Sequence, residues 1–417
     1  RTRPDEALET LNKYLEIHHF EQEALTETYV YIAKQLANSG DKLNQIDDLP
    51  VNLHEHADLV EARIRMALKQ QDWSQVLILI NLLPEESQLH PRWEFWKARV
   101  LVGSVDPADR DIALRSFSRL AELRSFYGFL SADRLQQEYN YVDEPTSVST
   151  EEILALEATP GIQRALELLT LNERTKARRE WYFTTQDFSN RERRVAARVA
   201  HRWGWHKAAI QSLIDADAWN ELDYRFPIAF LDTFISNART ADIPANWSLA
   251  IARQESAFMP DAKSPAGAYG LMQLMPTTAK SVAQRSGMSF KSNRDLTKPA
   301  FNIKLGSHYL GRMLRRYNNN RILATAAYNA GPENVDRWVD GDLPFDIWIE
   351  TIPFMETRSY VQNVLMFSTI YGRRLQQSQP LIYEHEYDDF SSAHTNSTAG
   401  ESSQQSAEKD DQIEAPG

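Results

Sequence analysis

No cysteine occurs among the 417 residues. Disulfides, thiolate nucleophiles, cysteine-based zinc sites and a lipidated cysteine are excluded, although this absence alone does not choose a compartment. Glycine is sparse and uneven. Residues 1–226 hold five (Gly40, Gly103, Gly128, Gly161 and Gly204), and the shorter stretch 227–380 holds eight. Long apolar runs are also missing. The longest, Val76 to Leu83, is interrupted by Asn81 and falls far short of the ~18–20 residues that cross a bilayer, so no transmembrane segment is expected. The chain begins at Arg1, and nothing after it has the order of a signal peptide. Processing or truncation is expected to have removed what preceded it.

What is present is ordinary for a soluble globular protein: 42% hydrophobic and 25% charged residues. The length suits two or three domains at about 100–200 residues each. The net charge of −12 is unevenly spread. Residues 1–226 carry 28 basic and 37 acidic side chains, residues 227–380 carry 17 and 12, and residues 381–417 carry 1 and 9. A mildly basic block in an acidic chain suits an anionic polymer, although solvated surface accounts for the charge taken alone.

Residues 1 to about 226 read as helix after helix. Leu59, Ala62, Ile64, Met66 and Ala67 mark one helix, Gln70-Gln71-Asp72 a turn, and Trp73 to Leu82 its partner, which Pro84 stops. A similar unit starts at Pro91, turns at Gly103 to Pro107, and continues through Ile112, Leu114, Phe117, Leu120 and Leu123. Val195 to Trp203, Gly204 and the helix from Trp205 repeat the pattern. No strict period aligns these units, yet stacked helix pairs that bury their faces on neighbours are expected. They would form either a curved binding surface or a structural stalk. Tyr141 to Thr150 reads as a loop. Past Leu381 come Glu384-His385-Glu386-Tyr387-Asp388-Asp389 and a Ser/Gln/Glu/Asp tail, which buries too little to offset ordering entropy.

The chemistry concentrates in residues 227–380. Asp242-Ile243-Pro244 reads as a helix start, with Asp242 as the cap. Trp247, Ile251 and Glu255 then follow at spacings of four and share one face, flanked by Ala250 and Phe258. Glu255 is thus expected near a helix C-terminus beside apolar surface. Desolvation and the negative end of the helix dipole both disfavour its ionised form. A protonated carboxylic acid of that kind suits a glycosidic general acid; a surface Glu at a helix end is the plainer reading. Ser264 to Gly270 should form a tight loop. Leu271 to Met275 reads as a short strand, in which Gln273 could bond a sugar amide and Met supplies either apolar surface under a sugar ring or core filler. Helices are expected over Thr277 to Gly287, after Pro299, over Ile322 to Asn329, and from Glu356 onward. In the second of these, Gly306 should permit close helix contact. Gly331 fits the position after a helix end, with Tyr328 and Asn329 projecting there or capping the helix.

Glu255-Ser256, Gly270-Leu271-Met272-Gln273, Ala327-Tyr328-Asn329-Ala330-Gly331 and Glu356-Thr357-Arg358-Ser359-Tyr360-Val361 occur in one order. In that order and approximate spacing the chain resembles the soluble lytic murein transglycosylases, closely over about Pro227 to Gly372 and more loosely upstream. The resemblance implies a mainly α fold: α-superhelical stacked helix pairs, then a lysozyme-like α+β catalytic domain with a small β-hairpin. It implies the C-terminal part of a superhelical domain at 1–160, a helical linker domain at 161–226, the catalytic domain at 227–380, and a disordered acidic tail at 381–417. In the family the superhelix closes into a ring, and this chain would begin within it.

The same resemblance implies a periplasmic enzyme acting on peptidoglycan glycan strands. It would cleave the β-1,4 bond between N-acetylmuramic acid and N-acetylglucosamine without adding water, leaving a 1,6-anhydromuramic end. Glu255 would act as acid and then base, with Tyr328 assisting at the reacting N-acetyl group. Ser264, Gln273, Met275, Asn329, Glu356 and Tyr360 would line sugar subsites. Glu356 has a second reading as a helix cap or a partner of Arg358. A hydrolysing muramidase would need a second carboxylate, for which Asp261, Glu350 and Glu356 are available. A non-catalytic glycan-binding scaffold is the third reading. No cofactor, metal site, nucleic-acid partner or particular protein partner follows from the sequence. His54 and His56 read as a loop pair.

Overall fold

The computed structural model describes residues 4–39, 49, 56–339 and 343–387, and among these the regular elements are all helices, apart from two isolated β-bridges. His54 and residues 388–417 of the expected tail lie outside the described residues. Two compact units are present. One takes in described residues up to Asn140, residues 316–366 and residues 381–387. The other takes in residues 141–315 and 367–380. Among the described residues no helix is long and apolar enough to cross a membrane.

In the first unit, successive helices pack as the sequence pattern requires. Ala57–Lys69 and Trp73–Leu82 pair through fully buried Leu59, Ile64, Leu68, Val76 and Ile80. Asp72 caps the second helix by accepting from the Gln75 N–H at 3.0 Å. Pro91–Leu101, Pro107–Ala121 and Phe126–Leu135 continue the stack, with Trp93, Phe95, Trp96 and Phe117 inside. Gly128 permits the last of these contacts, because a Cβ there would collide with the carbonyl oxygens of Leu120 and Leu123. Phe345–Thr351, distant in sequence, packs on Ala57–Lys69.

A buried ionic cluster clamps that distant segment. Glu350 is fully buried and paired with Arg65 at 2.9 Å and Arg92 at 3.4 Å, and it accepts a hydrogen bond from the Tyr127 hydroxyl. Asp346, one helical turn earlier, pairs with Arg99 and Arg134, each at 3.2 Å. Burial pushes the Glu350 carboxyl up, but Arg92, Arg65 and Arg358 outweigh it and hold the group below its ordinary value.

Residues 381–387 depart from the expected disorder. Leu381 and Ile382 are buried, and the Glu386 carboxylate accepts from Arg321 Nε and Nη2, both at 2.8 Å, and from its backbone N–H at 2.9 Å. The Arg321 guanidinium also lies 3.8 Å over the Tyr383 ring. The polar composition of this segment signalled solvent; a buried cation on another helix captures it instead.

The second unit begins with Thr150–Glu157, which Ser149 and Glu152 start with a capping box. Pro160–Thr170 then pairs with Arg174–Thr185, and Asn190–Arg202 with His206–Ile214. Small buried residues (Ala196, Ala197, Ala200 and Ala209) let these helices close on Trp181 and Trp205. Leu231–Ala241 and Ala245–Ser256 follow and pack together. Asp242 does not cap the second of these. It ends the first in the left-handed region, at φ 58°, and Pro244 occupies the N-cap position without a side-chain bond. An Asp tolerates that conformation better than most residues, so the same residue that reads as a start serves as a stop.

Candidate active site

In the second unit, Glu255 stands at the penultimate position of Ala245–Ser256. Trp247, Ile251 and Ala250 are fully buried and Glu255 is half-buried. The four-residue spacing therefore runs from the core outward and leaves the carboxyl at the edge. Ala257 and Phe258 then take left-handed conformations, at φ 50° and 60°, which end the helix immediately beyond the acid.

The following loop is tied to that helix end. The Ser256 hydroxyl lies 2.8 Å from the Leu271 carbonyl oxygen and donates to it. Two isolated antiparallel bridges, Lys263–Tyr269 and Tyr269–Leu274, form the hairpin. The strand expected over Leu271 to Met275 is a turn instead. Gln273 sits at φ 42°, which breaks the alternation that its apolar neighbours suggest. Gly270, at φ 81°, fits where a Cβ would strike the Leu296 carbonyl and the Asn302 amide, so this glycine is required for both conformation and space.

Asn302 is the residue that sequence reasoning missed. It is fully buried, accepts from the Met272 N–H at 2.8 Å and donates to the Tyr269 carbonyl at 2.9 Å. It thereby replaces the strand partner that the turn lacks. Its one sequence signal was an Asn inside a long helix, Pro299–Arg316, where Asn is otherwise unfavourable. Gly306, one turn further on, makes room for the Met272 side chain rather than for another helix. Met272 is fully buried and is core filler, whereas Met275 is half-buried.

Ser264 and Gln273 shape the loop as well as lining it. Ser264 Oγ accepts from the Ala268 N–H at 3.0 Å. Gln273 Nε2 donates to the Gly270 and Ala262 carbonyls, at 2.7 and 3.3 Å.

The remaining candidates belong to the first unit. Arg321–Ala330 ends at Gly331, with φ 83°, and Pro332–Trp338 follows. Tyr328 is buried and Asn329 half-buried. Tyr317 steadies the turn: its hydroxyl donates to Asp336 at 2.8 Å and lies 3.2 Å from the Pro332 carbonyl oxygen. Asn329 Oδ1 accepts from the Thr357 hydroxyl at 2.6 Å, which joins this helix end to the start of Met355–Arg374. There Tyr360 is buried and Glu356 exposed in the first turn. Arg358 faces inward and gives Nε and Nη2 to the Ile352 carbonyl, at 3.2 and 2.8 Å, so it is not the partner of Glu356.

Of the other carboxylates, Glu350 is committed to the buried ionic cluster, and Asp261 pairs with Arg178 at 3.0 Å. Glu255, Ser264, Gln273 and Met275 thus gather in one unit, and Tyr328, Asn329, Glu356 and Tyr360 in the other.

Three family descriptions match the chain: the transglycosylase SLT domain over residues 232–349, the soluble lytic murein transglycosylase L domain over 155–222, and the soluble lytic transglycosylase helical domain over 351–380. The fold is that of the helical, lysozyme-like lytic transglycosylases. Within them, the chain belongs to the soluble lytic murein transglycosylase family. It is 36% identical over 335 residues to the soluble lytic murein transglycosylase of Salmonella typhimurium, covering 79% of this chain and 51% of that protein. An inactive Glu-to-Gln mutant of lytic transglycosylase Slt from Pseudomonas aeruginosa superposes with a TM-score of 0.82 at 37% identity, over 93% of this chain and 63% of that one. The 70 kDa soluble lytic transglycosylase of Escherichia coli gives 0.81 at 30% identity, over 92% and 62%. The chain spans about half the length of the curated relatives it matches.

Proposed function

We propose that the chain is a peptidoglycan lytic transglycosylase. It cleaves the β-1,4 bond between N-acetylmuramic acid and N-acetylglucosamine and forms a 1,6-anhydromuramic end, in the periplasm. The observation that carries this reading is the placement of Glu255: a half-buried carboxyl at the end of a helix whose buried stripe leads to it, joined by Ser256 to the 264–275 loop. Glu255 protonates the leaving oxygen. The substrate's own N-acetyl carbonyl stabilises the oxocarbenium-like centre. The Glu255 carboxylate then takes the proton from the C6 hydroxyl as that oxygen closes the ring, so the acid is regenerated and no water is consumed. Tyr328 assists at the N-acetyl group. Ser264, Gln273, Met275, Asn329, Glu356 and Tyr360 contact the sugars. The division at 1–160, 161–226 and 227–380 frames this assignment.

Further support comes from a relative whose inactive form differs by a single Glu-to-Gln change, and from Glu350, whose locked ionic partners make it unsuitable as a second catalytic carboxylate. A hydrolytic muramidase keeps one observation in its favour. Asp261 lies in the same unit as Glu255, and its Oδ1 is buried without a hydrogen-bond partner.

The test is digestion of purified peptidoglycan by the wild type and Glu255→Gln, with the new ends read by mass spectrometry. Anhydro ends from the wild type alone are expected. Reducing ends would overturn the transglycosylase reading in favour of hydrolysis.

A further inference from the structure

In the second unit, residues 145–148 lie along the Asn190–Arg202 helix and are strapped to it by arginines. Arg191 Nη1 donates to the Ser147 carbonyl at 2.8 Å, Arg194 Nη1 to Thr146 Oγ1 at 2.8 Å, and Arg198 Nη2 to the Thr146 carbonyl at 3.0 Å. Between segment and helix is a cleft of about 430 Å³, whose wall includes Pro145, Val148 and Ile153 on the apolar side and Arg198, His201 and Tyr224 on the polar side. None of these residues belongs to the proposed Glu255 site.

Arg198 is the unusual member. Only 5% of it is exposed. Its guanidinium lies 3.7 Å over the Tyr224 ring, and Nη2 also pairs with the buried Glu221 at 2.5 Å. Nη1, equally buried, has no hydrogen-bond partner. A desolvated guanidinium N–H without an acceptor is costly, and this one belongs to a side chain that lines an open cleft. Nδ1 of His201 beside it is likewise buried and without a partner. Burial first, and then Arg198 and Arg374 against the opposing Asp223, hold the His201 ring below its ordinary pKa. His206 and Tyr224 pack on the same ring, at 5.5 and 4.9 Å between centroids.

We propose that this cleft binds the terminal carboxylate of a short peptide with small apolar side chains, which accepts from Arg198 Nη1 while the side chains lie on Pro145, Val148 and Ile153. A charge-assisted hydrogen bond suits an unpartnered guanidinium N–H, and Arg202, paired with Glu157 at 3.5 Å, adds a second cation to the wall. Inorganic phosphate is disfavoured, because it would leave the apolar surface of Pro145, Val148 and Ile153 uncovered. Glu221 already balances the guanidinium on its other side, so the contact rests on one hydrogen bond and binding is weak.

The test titrates the whole chain with N-acetyl-Ala-Ala, its C-terminal amide and inorganic phosphate, following the His201 ring resonances by NMR, assigned with His201→Gln. The carboxylate peptide should shift them saturably and raise the His201 pKa, and the amide should bind about tenfold more weakly. Val148→Trp, which fills the cleft from a loop and spares the arginine straps, should abolish the shift. Equal binding of peptide and amide would overturn the proposal, as would phosphate binding as tightly as the peptide. A shift that survives Val148→Trp, or no saturable shift in the wild type, would do the same.

Discussion

Glu255 and Glu350 are both glutamates near the end of a helix, and their surroundings differ sharply. Glu350 is fully buried among Arg65, Arg92 and the Tyr127 hydroxyl. Glu255 is half-buried, with Ile251 and Trp247 one and two turns below it on the same face. A carboxylate ringed by guanidinium groups is locked as an anion and can only hold elements together. The acid we propose at Glu255 must gain and lose a proton in each cycle, which a carboxylate so locked could not do. Burial alone therefore does not mark a catalytic acid.

Exchanging the two sites' losses separates them. Glu255→Gln should lower the rate of glycan cleavage by about 10²–10⁴-fold, the usual share of a general acid, with an unchanged urea midpoint. Comparable activity in the variant would transfer the acid role elsewhere. Glu350→Ala should do the reverse and destabilise the fold by about 3–5 kcal/mol, because it strands buried cations. A loss below about 1 kcal/mol in urea unfolding would show the cluster to be unimportant.

Acid sharpens the same contrast. Glu350 has a folded pKa depressed below its ordinary 4.5, so the unfolded state binds more protons there. Its contribution is complete above about pH 4.5 and is lost as pH falls through the folded value. His206, in the other unit, is pushed down by burial and by His201 to about 4 from 6.5. Unfolding lets it charge, so stability falls as pH drops from 6.5 toward 4. Urea midpoints measured against pH should flatten between 4 and 6.5 in His206→Gln, and only below 4.5 in Glu350→Gln. The opposite assignment of the two windows would contradict both environments.

Buried neutral polar groups should cost less. Asn302→Ala leaves the Met272 N–H and the Tyr269 carbonyl without their partner, worth about 1–3 kcal/mol. Displacing the loop beside Glu255 should also cut activity by up to about 10²-fold. Full activity with reduced stability would mean that the loop's position is not needed for chemistry.

Helix pairs such as Ala57–Lys69 with Trp73–Leu82 were legible because apolar spacing, Asp72 and Pro84 mark faces and ends locally. The position of Glu255 was legible for the same reason. What escaped depended on partners far away in sequence. Asn302 substitutes for a strand, Gln273 takes a positive φ that its neighbours conceal, and Arg321 captures Glu386 from a segment that reads as tail. Asp242 shows a different limit: one residue type suits both a helix start and a left-handed stop.

The smallest effect is expected at Asp261, and it bears on the choice between the two chemistries. This carboxylate pairs with Arg178 at 3.0 Å while both side chains remain about a third exposed, at 27% and 34%. Solvent screens such a pair, so Asp261→Asn should cost no more than about 1 kcal/mol. If Glu255 works alone, the variant should also keep its cleavage rate within about threefold and still yield anhydro ends, since general catalysis by a carboxylate is worth far more than that. If Asp261 instead activates water across the scissile bond, the same isosteric change should lower the rate by about 10² or more and remove any reducing ends. Rate and product measured on one variant therefore separate a screened surface pair from a second catalytic carboxylate. The near-silent outcome would leave the chemistry to Glu255.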